Sequence, residues 1–137
     1  MPFKSLKESL KLNEGFKATV YKDHLGYDTI GYGFAIKDLV LDEDIAGLIL
    51  ERDIFRRYMQ LNSNFDWFSS QPDNVRDVCV EMVYQLGFSG FCKFKKTIQY
   101  LIEGDYGGAS MEMLNSKWAL QTPARAKKLS QSIKNGA

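Results

Sequence analysis

Long apolar runs are what this chain most plainly lacks. Its opening, MPFKSLKESLKLNEG, breaks every apolar stretch with Lys, Ser or Glu, so no signal-peptide core and no membrane span is expected. A chain made and kept in the cytosol follows as the expectation. Cysteine is scarce. Cys79 falls on an apolar helical stripe and Cys92 between Phe91 and Phe94, and both read as small buried free thiols rather than a disulfide framework. Neither has His or Cys neighbours at ligand spacing, so no metal site and no cofactor is expected. His24, the single histidine, adjoins Asp23, but no Ser or Cys nucleophile pattern accompanies it. Charge of one sign is also missing: the formal net charge is +1, which gives no general case for nucleic acid. Residues 91–137 do hold eight Lys and Arg against three Asp and Glu, which reads either as a solvated helical face or as attraction to an anionic polymer such as a bacterial wall. No internal repeat or low-complexity tract occurs.

What is present suffices for one core. With 137 residues, 45% hydrophobic and 13% aromatic, the chain has the size of one domain, or of two lobes sharing a core. Phe3, Leu6 and Leu10 recur at helical spacing over 3–13, with Gly15 as the stop. Phe16 to Phe34 alternates and turns like a small antiparallel hairpin sheet. Asp42 reads as the N-cap of a helix to about Leu61, with Leu41, Ile45, Leu48, Ile49 and Phe55 as its core stripe. A loop at 62–73 precedes an amphipathic helix carrying Val75, Val78, Cys79, Met82, Val83 and Leu86, which should end at Gly87. Helices over 94–103 and 105–118 are split at Gly104. Thr122 reads as the cap of a last helix with Pro123 as its first residue and Arg125 at its third position. The positive helix N-terminus disfavours a cation there, so an anion is expected nearby.

The segment from Glu14 to Gly33, EGFKATVYKDHLGYDTIGYG, places two carboxylates and a hydroxyl around one hairpin. Glu14 ends the first helix, four residues past Leu10. The helix C-terminus and apolar neighbours would both favour a protonated acid there. Asp23, on a turn open to water, should stay ionised. Thr29, on the return strand, can help hold a water beside it. Two acids with opposite protonation states are the arrangement that glycoside hydrolysis uses.

The whole segment resembles the catalytic segment of the phage-type lysozymes. The similarity extends through EMVYQLG at 81–87, LIEGDY at 101–106 and SKWALQTPARAKKL at 116–129, the last especially close to the T-even phage enzymes. The resemblance implies a mainly helical α+β fold in a single lysozyme-like domain. It would comprise an N-terminal helix with a small antiparallel sheet lobe (1–40), a connecting helix (41–61) and a helical C-terminal lobe (62–137), with a glycan cleft between the lobes. It implies hydrolysis, with inversion, of the β-1,4 bond between N-acetylmuramic acid and N-acetylglucosamine in bacterial peptidoglycan. By position, Glu14 matches the general acid, Asp23 the residue that directs water, and Thr29 the third member of that set. Arg125 matches an arginine that partners the catalytic glutamate. Ala35, Tyr84, Gln85, Thr97 and Glu112 match substrate-binding positions. A monomer acting on the wall in the periplasm after release from the host cytoplasm is implied, with a separate holin giving access and no stable membrane insertion. Three departures stand out: Phe34 where the family commonly has His, Glu81 where it has Asn or a small polar residue, and a shorter connector. A lytic transglycosylase, a non-catalytic wall-binding module on the same fold and, least favoured, a DNA-binding helical module are the alternatives.

Overall fold

A computed structural model describes residues 2–136. The chain divides into two compact units, Met1–Ala46 and Gly47–Ala137. The first holds helix α1 (Lys4–Glu14), strands β1 (Lys17–Lys22), β2 (Asp28–Gly31) and β3 (Phe34–Ala35), and a 3-10 turn at Ile36–Asp38. Helix α2 (Glu43–Asn64) crosses the division four residues after its start. The second unit continues with α3 (Asp73–Cys92), α4 (Lys95–Glu103), α5 (Tyr106–Leu114), α6 (Lys117–Gln121) and α7 (Pro123–Lys134). Mainly helical structure with one small antiparallel sheet makes this an α+β fold, as the sequence indicates.

The sheet has order β1-β2-β3 and is antiparallel throughout. Tyr21 pairs with Thr29 and Thr29 with Ala35, so Thr29 occupies the middle strand. The sequence suggests a simple hairpin; a third strand forms because Gly33, at φ 76°, reverses the chain after β2 in a conformation that L side chains resist. Two apolar stripes do not behave as expected. Phe3, Leu6 and Leu10 are 76%, 55% and 47% exposed, and α1 buries no residue. Three short strands in a unit of this size offer little apolar surface to cover a helix face. Leu41, just before α2, and Ile45, Leu48, Ile49 and Phe55 on it are likewise exposed, and Leu61 is the one buried residue of that helix. Packed neighbours begin only near its C-terminal half, where Arg57 Nη1 donates to the Val83 carbonyl (3.1 Å) and the Tyr58 ring meets Phe68 edge-on at 5.1 Å.

In the second unit α3 carries the core, with Val75, Val78, Cys79, Val80, Met82, Val83 and Phe91 buried. Its amphipathic stretch ends at Gly87, as the sequence indicates. That residue breaks the helix at φ 77°, ψ 164°, and a further helical stretch continues to Cys92, because the aromatic cluster of Phe65, Phe88 and Phe91 secures it. The single helix expected over 105–118 is two, since Ser116 caps a new start: its hydroxyl accepts from the Ala119 N–H and donates to the Met113 carbonyl. Helices α4 and α5 approach closely at Gly108, where a Cβ would stand 2.7 Å from the Tyr100 ring. The buried Gln71 amide is paired on both sides: it donates to the Leu101 carbonyl at 3.1 Å and accepts from the Tyr106 hydroxyl at 2.8 Å. Cys79 is buried and its thiol is pushed up to about 12 by loss of solvent, whereas Cys92 is only half-buried. Both are free.

Candidate active site

The first unit holds Glu14 at the end of α1, Asp23 on the turn after β1 and Thr29 in β2. Asp23 opens the turn between β1 and β2. Its Oδ1 accepts from the Leu25 and Tyr27 backbone N–H groups, both at 2.9 Å, and its own N–H donates to the Tyr27 carbonyl. The carboxylate thus replaces a missing stretch of backbone ladder, which is why an Asp suits this turn. Donation from Tyr27, and then from Leu25, holds the Asp23 carboxyl below its ordinary value of 3.8, against the opposing effect of partial burial; the neighbouring His24 acts in the same direction as the donors. Asp23 is therefore ionised at neutral pH. Among the described residues nothing donates to its Oδ2, which leaves that oxygen for a water. At the neck of the turn Lys22 and Asp28, paired in the sheet register, form an ion pair at 2.6 Å.

Thr29 is buried in β2, and its Oγ1 donates to the Tyr27 carbonyl at 2.9 Å. Tyr27 thereby receives Thr29 through its oxygen while giving its N–H to Asp23, so the hydroxyl and the carboxylate are fixed through one peptide neighbourhood. With its proton committed, the Thr29 hydroxyl faces any further ligand as an acceptor.

Glu14 is the last residue of α1 and is exposed, not set on a buried edge as its spacing from Leu10 suggests. Its carboxylate lies against the turn between β2 and β3: a Cβ on Gly33 would stand 2.6 Å from Glu14 Oε2. Gly33 is thus a positioning residue, and Gly-x-Gly at the end of a strand is a signal for such close approach. Beside Glu14 a hollow of about 390 Å³ is walled by Leu10, Tyr32 and Phe34. Phe34 packs edge-on to Tyr32 at 6.3 Å, which is what stands at the position where a histidine would be expected. Glu14 and Asp23 therefore lie by turns at opposite ends of a four-residue strand.

The remaining residues separate by location. Ala35 is in β3 of the first unit. In the second unit Arg125 Nε donates to Glu81 Oε2 at 3.0 Å, so the anion that offsets a cation at the start of α7 is Glu81. Both border a cavity of about 450 Å³ together with Tyr84 and Asp77. Gln85 accepts from Trp118 Nε1 at 2.9 Å, which satisfies a buried indole. Thr97 and Glu112 line a different groove, of about 540 Å³. Among the described residues no group of three or more His, Cys, Asp or Glu side chains could hold a metal ion.

Comparison with known proteins agrees with this layout. The family model described as phage lysozyme matches residues 11–132, from just before Glu14 to the last turns of α7. The chain is 29% identical over 161 aligned residues to probable T4-type lysozyme 1 of Dictyostelium discoideum, covering 96% of this chain and 95% of that protein. Probable T4-type lysozyme 2 of the same organism is 29% identical over 163 residues, at 96% and 95% coverage. The pre-baseplate central spike protein Gp5 of Enterobacteria phage T4 is 27% identical over 163 residues, covering 98% of this chain but 28% of that protein. These alignments are longer than the 137-residue chain, so the relatives carry residues that it lacks. The match over nearly the whole length means that this chain belongs to the phage lysozyme family and is a glycoside hydrolase of the lysozyme type.

Proposed function

We propose that the chain cleaves the β-1,4 bond between N-acetylmuramic acid and N-acetylglucosamine in bacterial peptidoglycan, inverting the anomeric centre, and that it serves host cell lysis. Glu14 gives its proton to the leaving oxygen. Asp23, ionised, takes a proton from a water through its free Oδ2 and directs that water at the anomeric carbon, while Thr29 Oγ1 accepts a second hydrogen bond from the same water. The observation that carries this reading is the division of labour across β2. One acid is pinned by backbone N–H groups in the charged state at one end, and the other stands against Gly33 at the opposite end. Inversion is what the family resemblance implies, with a water between the two acids.

Arg125 enters as a partner of Glu14 through the family resemblance; its ion pair with Glu81 is the contact within its own unit. Ala35, Tyr84, Gln85, Thr97 and Glu112 are proposed substrate contacts on the same basis. The protein acts as a monomer on peptidoglycan, without nucleic acid or stable membrane insertion. It is made in the host cytoplasm and reaches the wall through a separate permeabilising protein. The test is loss of turbidity in chloroform-treated cells with mass analysis of the fragments. Hydrolysis gives reducing ends. Fragments lighter by one water, with anhydro ends, would mark a lytic transglycosylase and remove the water-directing role of Asp23. Binding without cleavage would mark a wall-binding module.

A further inference from the structure

One guanidinium in the second unit makes three contacts at once. Arg57 on α2 donates from Nε to Asp53 Oδ2, one turn back, at 2.6 Å, and from Nη1 to the Val83 carbonyl of α3 at 3.1 Å. Its Cζ stands over the Tyr84 ring, 5.3 Å from the centroid. The pair with Asp53 would by itself be an ordinary ion pair between helical neighbours, which contributes little. The other two contacts set it apart, because they fall on consecutive residues of α3: the carbonyl belongs to Val83 and the ring to Tyr84.

The course of α3 explains why a cation suits this place. Its amphipathic stretch ends at Gly87, so Val83 lies in the last turn before the break, where carbonyls run out of partners within the helix and the helix end is negative. The Val83 side chain is buried in the core, which makes its carbonyl a rigid anchor. With Asp53 fixing the guanidinium from the side of α2, the planar fork has a set orientation over the ring. A lysine ammonium has no such plane to lay against a ring while it donates.

Tyr84 is the residue for which this hold matters. It is 47% exposed and lines the cavity of about 450 Å³ together with Arg125. A ring this open is free to change rotamer unless something fixes it. Arg57 takes one face of the ring and leaves the other for an apolar or sugar surface. Arg57 itself borders a different hollow, with Arg56 and Gln60, and is not among the residues that line the Tyr84 cavity. It therefore reaches a ligand in that cavity only through the ring.

We propose that Arg57 is a positioning residue for glycan binding: it holds the Tyr84 ring by one face and presents the other to a pyranose ring. That the ligand is a glycan rests on the function proposed above; the hold of Arg57 on Tyr84 does not. The test is a double-mutant cycle on the full-length protein, with wild type, Arg57→Gln, Tyr84→Ala and the double variant. Affinity for a soluble N-acetylglucosamine tetramer is measured by calorimetry, and the maximal rate of wall clearing and the unfolding midpoint are read on the same samples. Arg57→Gln should weaken tetramer binding about fivefold, the scale of a lost cation–π contact with its fixing hydrogen bond, and leave the maximal rate unchanged. In the Tyr84→Ala background the same change should have no further effect, since the two residues act as one unit. Should Arg57→Gln fail to fold, Arg57→Lys, which keeps the charge and loses the fork, should weaken binding in the same direction by a smaller factor. Equal weakening in both backgrounds would mean that Arg57 only ties α2 to α3 and would overturn the proposal. So would an unchanged affinity in the Arg57 variants, a lowered maximal rate in Arg57→Gln, or no saturable binding of the tetramer by the wild type. Binding is read without cleavage, so a wild type that binds the tetramer and clears no wall sinks the proposed hydrolysis and leaves the cycle intact.

Discussion

The two units of this chain differ in how much they bury and in which of the proposed acids they hold. Every residue of the main hydrophobic core, from Leu61 to Ile133, belongs to Gly47–Ala137. The first unit buries Thr29 and Gly31 on its sheet and nothing on its helix. Yet it is the first unit that holds Glu14 and Asp23, and it does so with backbone: two N–H groups on one carboxylate, a glycine against the other, and a threonine bonded to the peptide between. A site fixed by turns and main-chain donors needs little core of its own, whereas a helical unit without turn-fixed geometry needs a dense one.

Substitutions that act on one unit at a time sharpen this comparison. Leu101→Ala in the second unit, where the side chain is 1% exposed, should cost about 2–5 kcal/mol in denaturant unfolding, through lost burial and a residual cavity. Asp23→Asn should lower wall clearing about a hundredfold, the scale of a lost acid–base partner, and Thr29→Ala should lower it less. The same Asp23 variant gives a pH signature. Because the folded carboxyl titrates below 3.8, its contribution to stability is present above that value and lost as pH falls through the lowered one. Asn keeps the acceptor but does not titrate. The Tm advantage of the wild type should therefore be full at neutral pH and shrink in strong acid; an advantage that grows on acidification would contradict the pinned carboxylate.

Gly33→Ala should cost about 1–2 kcal/mol from its left-handed backbone and should also cut activity by moving Glu14. An active Gly33→Ala protein would detach Glu14 from the turn. Smallest of all, Leu6→Ala, at a side chain 55% exposed, should change stability by no more than about 0.5 kcal/mol. A loss as large as that of Leu101→Ala would mean that the first unit has a core after all.

Legibility in the sequence follows the same division. The period of Val75, Val78, Cys79, Met82 and Val83 specifies a buried helix face because many neighbours meet it, and Pro123 marks the start of α7, although Thr122 does not cap it and its hydroxyl donates to the Trp118 carbonyl instead. The stripes on α1 and α2 have the same period and are exposed, since periodicity reports that a face is apolar but not what covers it. Gly87 marks the end of the amphipathic stretch, while the second helical stretch that starts directly after it leaves no comparable signal. At the site, the acids and the threonine are legible as a string. The donors that hold Asp23, by contrast, come from the main chain of Leu25 and Tyr27, whose side chains carry no trace of that role. The Arg125–Glu81 pair spans 44 positions, beyond any local pattern, although the misplaced cation itself announced a missing anion.

The most direct measurement compares wild type and Glu14→Gln on purified peptidoglycan, with unfolding followed on the same samples. An exposed helix-end carboxyl replaced by its isosteric amide should leave the unfolding midpoint unchanged, while release of reducing ends falls at least about a hundredfold. A folded Glu14→Gln protein that releases reducing ends at the wild-type rate would contradict the account.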